Sequence, residues 1–144
     1  PSEPRCPSAD KNTLVQQGQV NMSQAALDHF GSVLTKRVRD EAISDWDMIL
    51  DGRMKDAGSQ EIRMQIERLH LSKDQIEFFR RLIPRIIDTT LHHLLWTLEE
   101  EDSIDVAVKT QAGSVPSLRD VSDGLAGELY SWIPRFSRER YEEP

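Results

Sequence analysis

The chain has 144 residues, 38% of them hydrophobic and 30% charged, and a formal net charge of −7. That length accommodates one domain with a real core, the composition excludes a chain that stays unfolded, and the acidic balance argues against a nucleic-acid backbone as the main partner, because phosphate binding calls for a surplus of Lys and Arg. The single Cys6 excludes an intrachain disulfide framework and a cysteine-built zinc site; the lack of disulfides fits a reducing, cytoplasmic compartment.

Residues 1–21 are polar, contain three prolines and have no period. They read as a flexible N-terminal arm, or as an extension ahead of a natural start at Met22. They hold no apolar run of the signal-peptide kind, and no stretch of the chain approaches the roughly eighteen apolar residues of a spanning helix, so no membrane partner is expected. A single helical domain is expected over residues 22–136. Ser23 suits an N-cap, and Leu27, Phe30, Leu34, Val38, Ala42 and Trp46 follow at helical steps. Glu41 and Asp45 fall within this stripe, where a carboxylate is costly unless paired. Arg37, one turn earlier, is the natural partner for Glu41. Gly52 suits the C-cap.

Ser59 is positioned to cap a second helix carrying Ile62, Ile66 and Leu69, and Ser72 with Gln75 forms a capping box for a third. Pro84 predicts a break or sharp kink there, with the proline in the first turn of a central helix. In that helix Ile83, Ile87, Leu91, Leu94 and Leu98 trace a core stripe, Asp88, His92 and Glu99 lie on its flank, and Trp96 lies opposite. Glu99, Glu100, Glu101 and Asp102 end the helix with the wrong sign for its dipole, at a few tenths of a kcal/mol each unless cations answer them; Arg80, Arg81 and Arg85 are the candidates.

Ile104, Val106 and Val108 alternate with polar or small residues and predict a short strand, with a turn over 111–113 and a return at Ser114 and Val115. A two-stranded ribbon over residues 104–116 is marginal alone, so it packs on the helices or adds to another chain in a homodimer. Ser117 to Asp120 reads as a capping box for a last helix through Leu125, Leu129 and Trp132, with Gly124 and Gly127 inside it implying close approach or a bend. Pro134 ends that helix, and residues 137–144 form a charged, loose tail. The expected fold is mostly α: a bundle of four to five helices with a small two-stranded ribbon.

Three groups of residues suggest function. Glu41 and Asp45 converge with Asp88 and His92 if the first and central helices pack antiparallel, and bundles build metal sites from such inward side chains. Carboxylate ligands favour Mg²⁺ or Mn²⁺, and the histidine admits Zn²⁺ or Fe. Such a site would suit a metal-dependent hydrolase of a phosphorylated small molecule, with Glu41 as ligand or base. The competing account is a structural network in which His92 bonds Asp88 or Asp45. It is preferred, because neither HExxH nor a paired ExxH set occurs, and no cofactor is then expected. His93 lies on the other flank from His92 and does not share a site with it. The third group is a surface: Trp96 with Glu99, Glu100 and Glu101, joined by Tyr130 and Trp132, since exposed aromatics mark binding surfaces. The alternative is that the last helix covers Trp96.

The stretches RVRDEAISDWDMILDGRMK, IIDTTLHHLLWTLEEED and DVSDGLAGELYSW resemble a family of small uncharacterised bacterial proteins with no assigned activity. The resemblance covers most of Phe30 to Trp132 and brings no catalytic residues. By analogy, small acidic bacterial domains of this kind serve as immunity proteins or mobile-element cargo. The chain lacks the doubled Glu-rich motifs of all-α nucleotide pyrophosphatases. The expected function is therefore a non-enzymatic interaction module that uses its acidic surface to engage a basic protein partner.

Overall fold

The structure, a computed structural model, describes residues 11–111 and 113–141, with side chains given from residue 15. Lys11 to Leu50 run as one continuous helical rod: α1 (Lys11–Val33), a π-helical stretch (Leu34–Asp40) and α2 (Glu41–Leu50). Helix α3 (Ala57–Arg68) and helix α4 (Lys73–Glu100) follow. Strands β1 (Val108–Thr110) and β2 (Gly113–Val115) pair antiparallel, Val108 opposite Val115, and a short 3₁₀ turn (Arg119–Val121) leads into α5 (Leu125–Phe136). The chain is mostly helical with a small ribbon between its last two helices. No helix among the described residues is long and apolar enough to cross a membrane.

The rod differs from its sequence pattern in two ways. It begins at Lys11, within the stretch expected to be a flexible arm, so Ser23 lies inside the helix and caps nothing; residues 1–10 lie outside the described residues. The π-helical stretch also admits an extra residue per turn, which shifts the buried face by one position. A regular helix would bury Val38, Ala42 and Trp46; the protein buries Arg39, Ile43 and Leu50, leaving Val38 and Trp46 exposed. Asp45 rotates out to solvent with them.

Helix α4 is the central element, packed against α5, α2 and the π-helical stretch. Asp56, not Ser59, caps α3, its carboxylate accepting from the Ser59 backbone N–H at 3.0 Å. Ser72 and Gln75 form the capping box expected for α4. Pro84 does not break α4, which runs on for 28 residues. Proline removes the N–H that the carbonyl four residues earlier would accept; that carbonyl, on Arg80, instead accepts from the Arg140 guanidinium at 3.0 Å. Pro134 likewise lies inside α5, which ends two residues later. The stretch from Ser117 holds only the 3₁₀ turn over Arg119–Val121, and Gly124, at φ 148°, turns the chain before α5 starts at Leu125.

The larger core holds Trp132 and Leu129 of α5, Leu91 and Leu95 of α4, and Leu27 and Leu34 of the rod, with Val108 and Val115 of the ribbon closing one side. The close helix approach is made by Gly31 of α1, where a Cβ would come within 2.4 Å of the Trp132 indole. Gly127, by contrast, faces open space. A smaller core joins Ile43 and Leu50 of α2 to Ile83 of α4, with Ile66 of α3 packed against it.

Candidate functional site

The polar centre of the molecule is Arg39. The shift in the π-helical stretch turns its side chain inward, where it is fully buried. A guanidinium carries five N–H donors, and each finds an acceptor: Nε and Nη2 hold the two carboxylate oxygens of Asp88 at 2.6 and 3.2 Å, Nη1 reaches Asp40 at 3.2 Å and the Ser137 hydroxyl at 2.9 Å, and Nη2 reaches the Arg140 carbonyl at 2.7 Å. The Ser137 hydroxyl donates to Asp40 at 2.7 Å, and the Arg138 backbone N–H donates to the other Asp40 oxygen at 2.7 Å. A buried charge is tolerated when it is paired and fully hydrogen-bonded, and this one satisfies both conditions.

About two helical turns further along, Asp47 of α2 takes Arg80 of α4 at 2.9 Å and both terminal nitrogens of Arg140. Arg80 also reaches Asp51 at 2.8 Å. That hydrogen bond holds the Asp51 carboxyl below its ordinary value of 3.8. Residues 137–141, expected to form part of a loose tail, are thus strapped across α2 and α4; residues 142–144 lie outside the described residues.

The pairs Arg39–Asp88 and Asp47–Arg80 run in opposite senses along α2 and α4, so these helices are antiparallel, as the convergence of Glu41, Asp45, Asp88 and His92 required. The four do not converge. Glu41 is exposed and paired with Arg37 at 2.6 Å, as their spacing implies. Asp45 points to solvent. Asp88 is committed to Arg39, and neither it nor Asp45 bonds His92, whose buried Nδ1 has no partner among the described residues. Among those residues no three His, Cys, Asp or Glu side chains form a group that could hold a metal ion. In a regular helix Arg39 would lie beside the apolar stripe, so its sequence position does not mark it as buried. The signal was there in the pattern displaced by one residue: Arg39, Ile43 and Leu50.

The acids that end α4 are answered by Arg119 and by α5. Arg119 donates to the Glu99 carbonyl at 3.4 Å and to Asp102 at 3.1 Å. The Glu99 carboxylate sits at the N-terminus of α5, accepting from the Ala126 N–H at 3.5 Å, where the dipole favours an anion. Glu101 bonds Ser103, whose hydroxyl holds the Glu101 carboxyl below its ordinary value. Glu100 is exposed. Trp96 is exposed, and α5 does not cover it. His93 is not isolated from His92: their rings lie 5.9 Å apart, with Trp96 6.1 Å from His93 and Tyr130 5.7 Å from His92. Trp132 belongs to the core, not to this surface.

An open apolar groove lies elsewhere. Helix α3 packs on α2 more than on α4, leaving between α3 and α4 a groove of about 460 Å³. Its walls include Trp46, Ile62, Ile66, Leu69, Phe79 and Ile86. Leu69, Ile86, Phe79 and Trp46 are 65, 55, 42 and 40% exposed. Among the lining residues Glu61 alone is charged, and Gln65 is the other polar group. Compared with family models, with curated proteins and with solved structures, the chain finds no match.

Proposed function

We propose that this chain is a non-enzymatic protein-interaction module that engages a basic partner. The observation that carries this reading is the α3–α4 groove. Side chains as large as Trp46, Phe79 and Ile86 stand together in solvent, and contiguous exposed apolar surface of this kind marks binding sites. Charge supports the same reading. Glu99, Glu100, Glu101, Asp102 and Asp105 form an acidic run with no base among them, in a chain of net charge −7. Such a field raises association rates with cations and discriminates against acidic surfaces. Among the candidate metal residues, the geometry favours a structural role for Asp88, which is held by a buried guanidinium. The test is affinity capture with the full chain at low and at high ionic strength. A partner retained at low salt and released at high salt is expected; recovery of no partner at low salt would sink the reading.

A further inference from the structure

From the groove's shape and charge we infer its occupant: an amphipathic helix of the partner protein whose apolar face is flanked by Lys or Arg, laid between α3 and α4. The inference rests on the interaction reading above and names its chemistry. Along α4, the groove wall is formed by Phe79, Ile83, Ile86 and Ile87 at helical steps, with Phe79 and Ile86 exposed above the buried Ile83. Those are the steps of a seam that receives a second helix knobs-into-holes. From Phe79 to Ile87 the wall is roughly 12 Å long at 1.5 Å per residue, enough to seat about two turns of an incoming helix. Helix α3 supplies the second wall through Ile62, Ile66 and Leu69. An extended strand has less to gain here, because the walls are helices, whose backbone groups are already paired within each helix.

Charge sets the sign of the partner. Glu61 lines the groove, and two neighbouring cations are engaged by other acids: Arg63 pairs with Glu67 at 2.8 Å, and Arg80 with Asp47 and Asp51. A lysine or arginine flanking the apolar face of the incoming helix would meet Glu61, whereas a glutamate there would meet a like charge in a partly desolvated site.

The probe is a synthetic helical peptide of about fifteen residues, with leucines at i, i+3, i+4 and i+7 and lysines flanking them, titrated calorimetrically into the full chain. A control peptide keeps the leucines and replaces the lysines with glutamates. Saturable one-to-one binding of the lysine peptide is expected, at least tenfold tighter than the glutamate peptide, with Glu61→Lys inverting that preference. Ile86→Asp and Phe79→Ala are each expected to weaken binding at least tenfold while leaving the circular dichroism unchanged. Absence of lysine-peptide binding overturns the proposal, as does binding that ignores Ile86→Asp. So does self-association of the free chain that Ile86→Asp dissolves, which would give the groove to a second copy. If a captured partner is released by salt yet binds Ile86→Asp as well as wild type, the interaction reading stands and the groove proposal falls.

Discussion

Toward the rod, α4 meets a guanidinium with all five donors answered and an apolar core around the fully buried Trp132; toward α3, the same helix leaves Phe79 and Ile86 in solvent. The first side is finished from within. Even the carbonyl freed by Pro84 has a donor, brought from residue 140 of the chain. The second side is built from side chains that stabilise a fold only when covered, at about 25 cal/mol per Å² of apolar surface removed from water. Buried polar groups that are all satisfied specify one structure; apolar groups left open, on a helix already held by its other face, are free to specify a partner.

The contrast can be broken hardest at Arg39. Arg39→Ala strands Asp88 and Asp40 beside an empty cavity, and removing one member of a buried ion pair costs about 3–5 kcal/mol, read as a lower midpoint in urea denaturation. Next is Gly31→Ala, which drives a methyl into the Trp132 ring; overpacking of this kind costs about 1–3 kcal/mol, offset in part by up to ~1 kcal/mol of helix propensity, so a net loss of thermal stability is expected. Arg140→Ala unties the strap from Asp47 and from the Arg80 carbonyl, with an expected loss of about 1.5–3 kcal/mol for hydrogen bonds to a charged group, reduced because the arginine side chain is 31% exposed. On the open side, Ile86→Asp should change stability by less than about 0.5 kcal/mol, in the same denaturation experiment that exposes the cost at Arg39.

Acid sharpens the comparison more gently. Asp51 is held below 3.8 chiefly by its hydrogen bond from Arg80, and Asp28 chiefly by its hydrogen bond from Arg135. A carboxyl whose folded value is depressed stabilises the fold fully above its unfolded value and loses that contribution as pH falls through the folded one. Stability should therefore be flat in neutral solution and decline below pH 3.8, and Arg80→Gln should shallow that decline; a series of urea midpoints against pH measures it.

Much of this was legible in the sequence. The mostly helical class, the helix through Ile62 and Ile66, the capping box at Ser72 and the ribbon all follow from period and capping chemistry, which are local. What was not legible depended on distant partners. Pro84 reads as a breaker because the sequence does not reveal that Arg140 returns to bond Arg80. Asp88 and His92 read as a pair because they are one turn apart, whereas the charge that takes Asp88 lies 49 residues away. The π-helical stretch moved Asp45 out and Arg39 in, so a one-residue slip dissolved a four-residue convergence. The groove was half legible: Ile62, Ile66 and Ile83 stood out as apolar, but how closely α3 would pack on α4 is a matter of packing angle, which no periodicity encodes.

The most direct test of the open-face account is hydrogen exchange on the full chain with and without the lysine-flanked helical peptide. The account predicts slowed exchange confined to α3 and to the Phe79–Ile87 stretch of α4, with the amides around Arg39 unchanged. Slowing at the acidic end of α4 and the ribbon instead, or slowing nowhere, would contradict it.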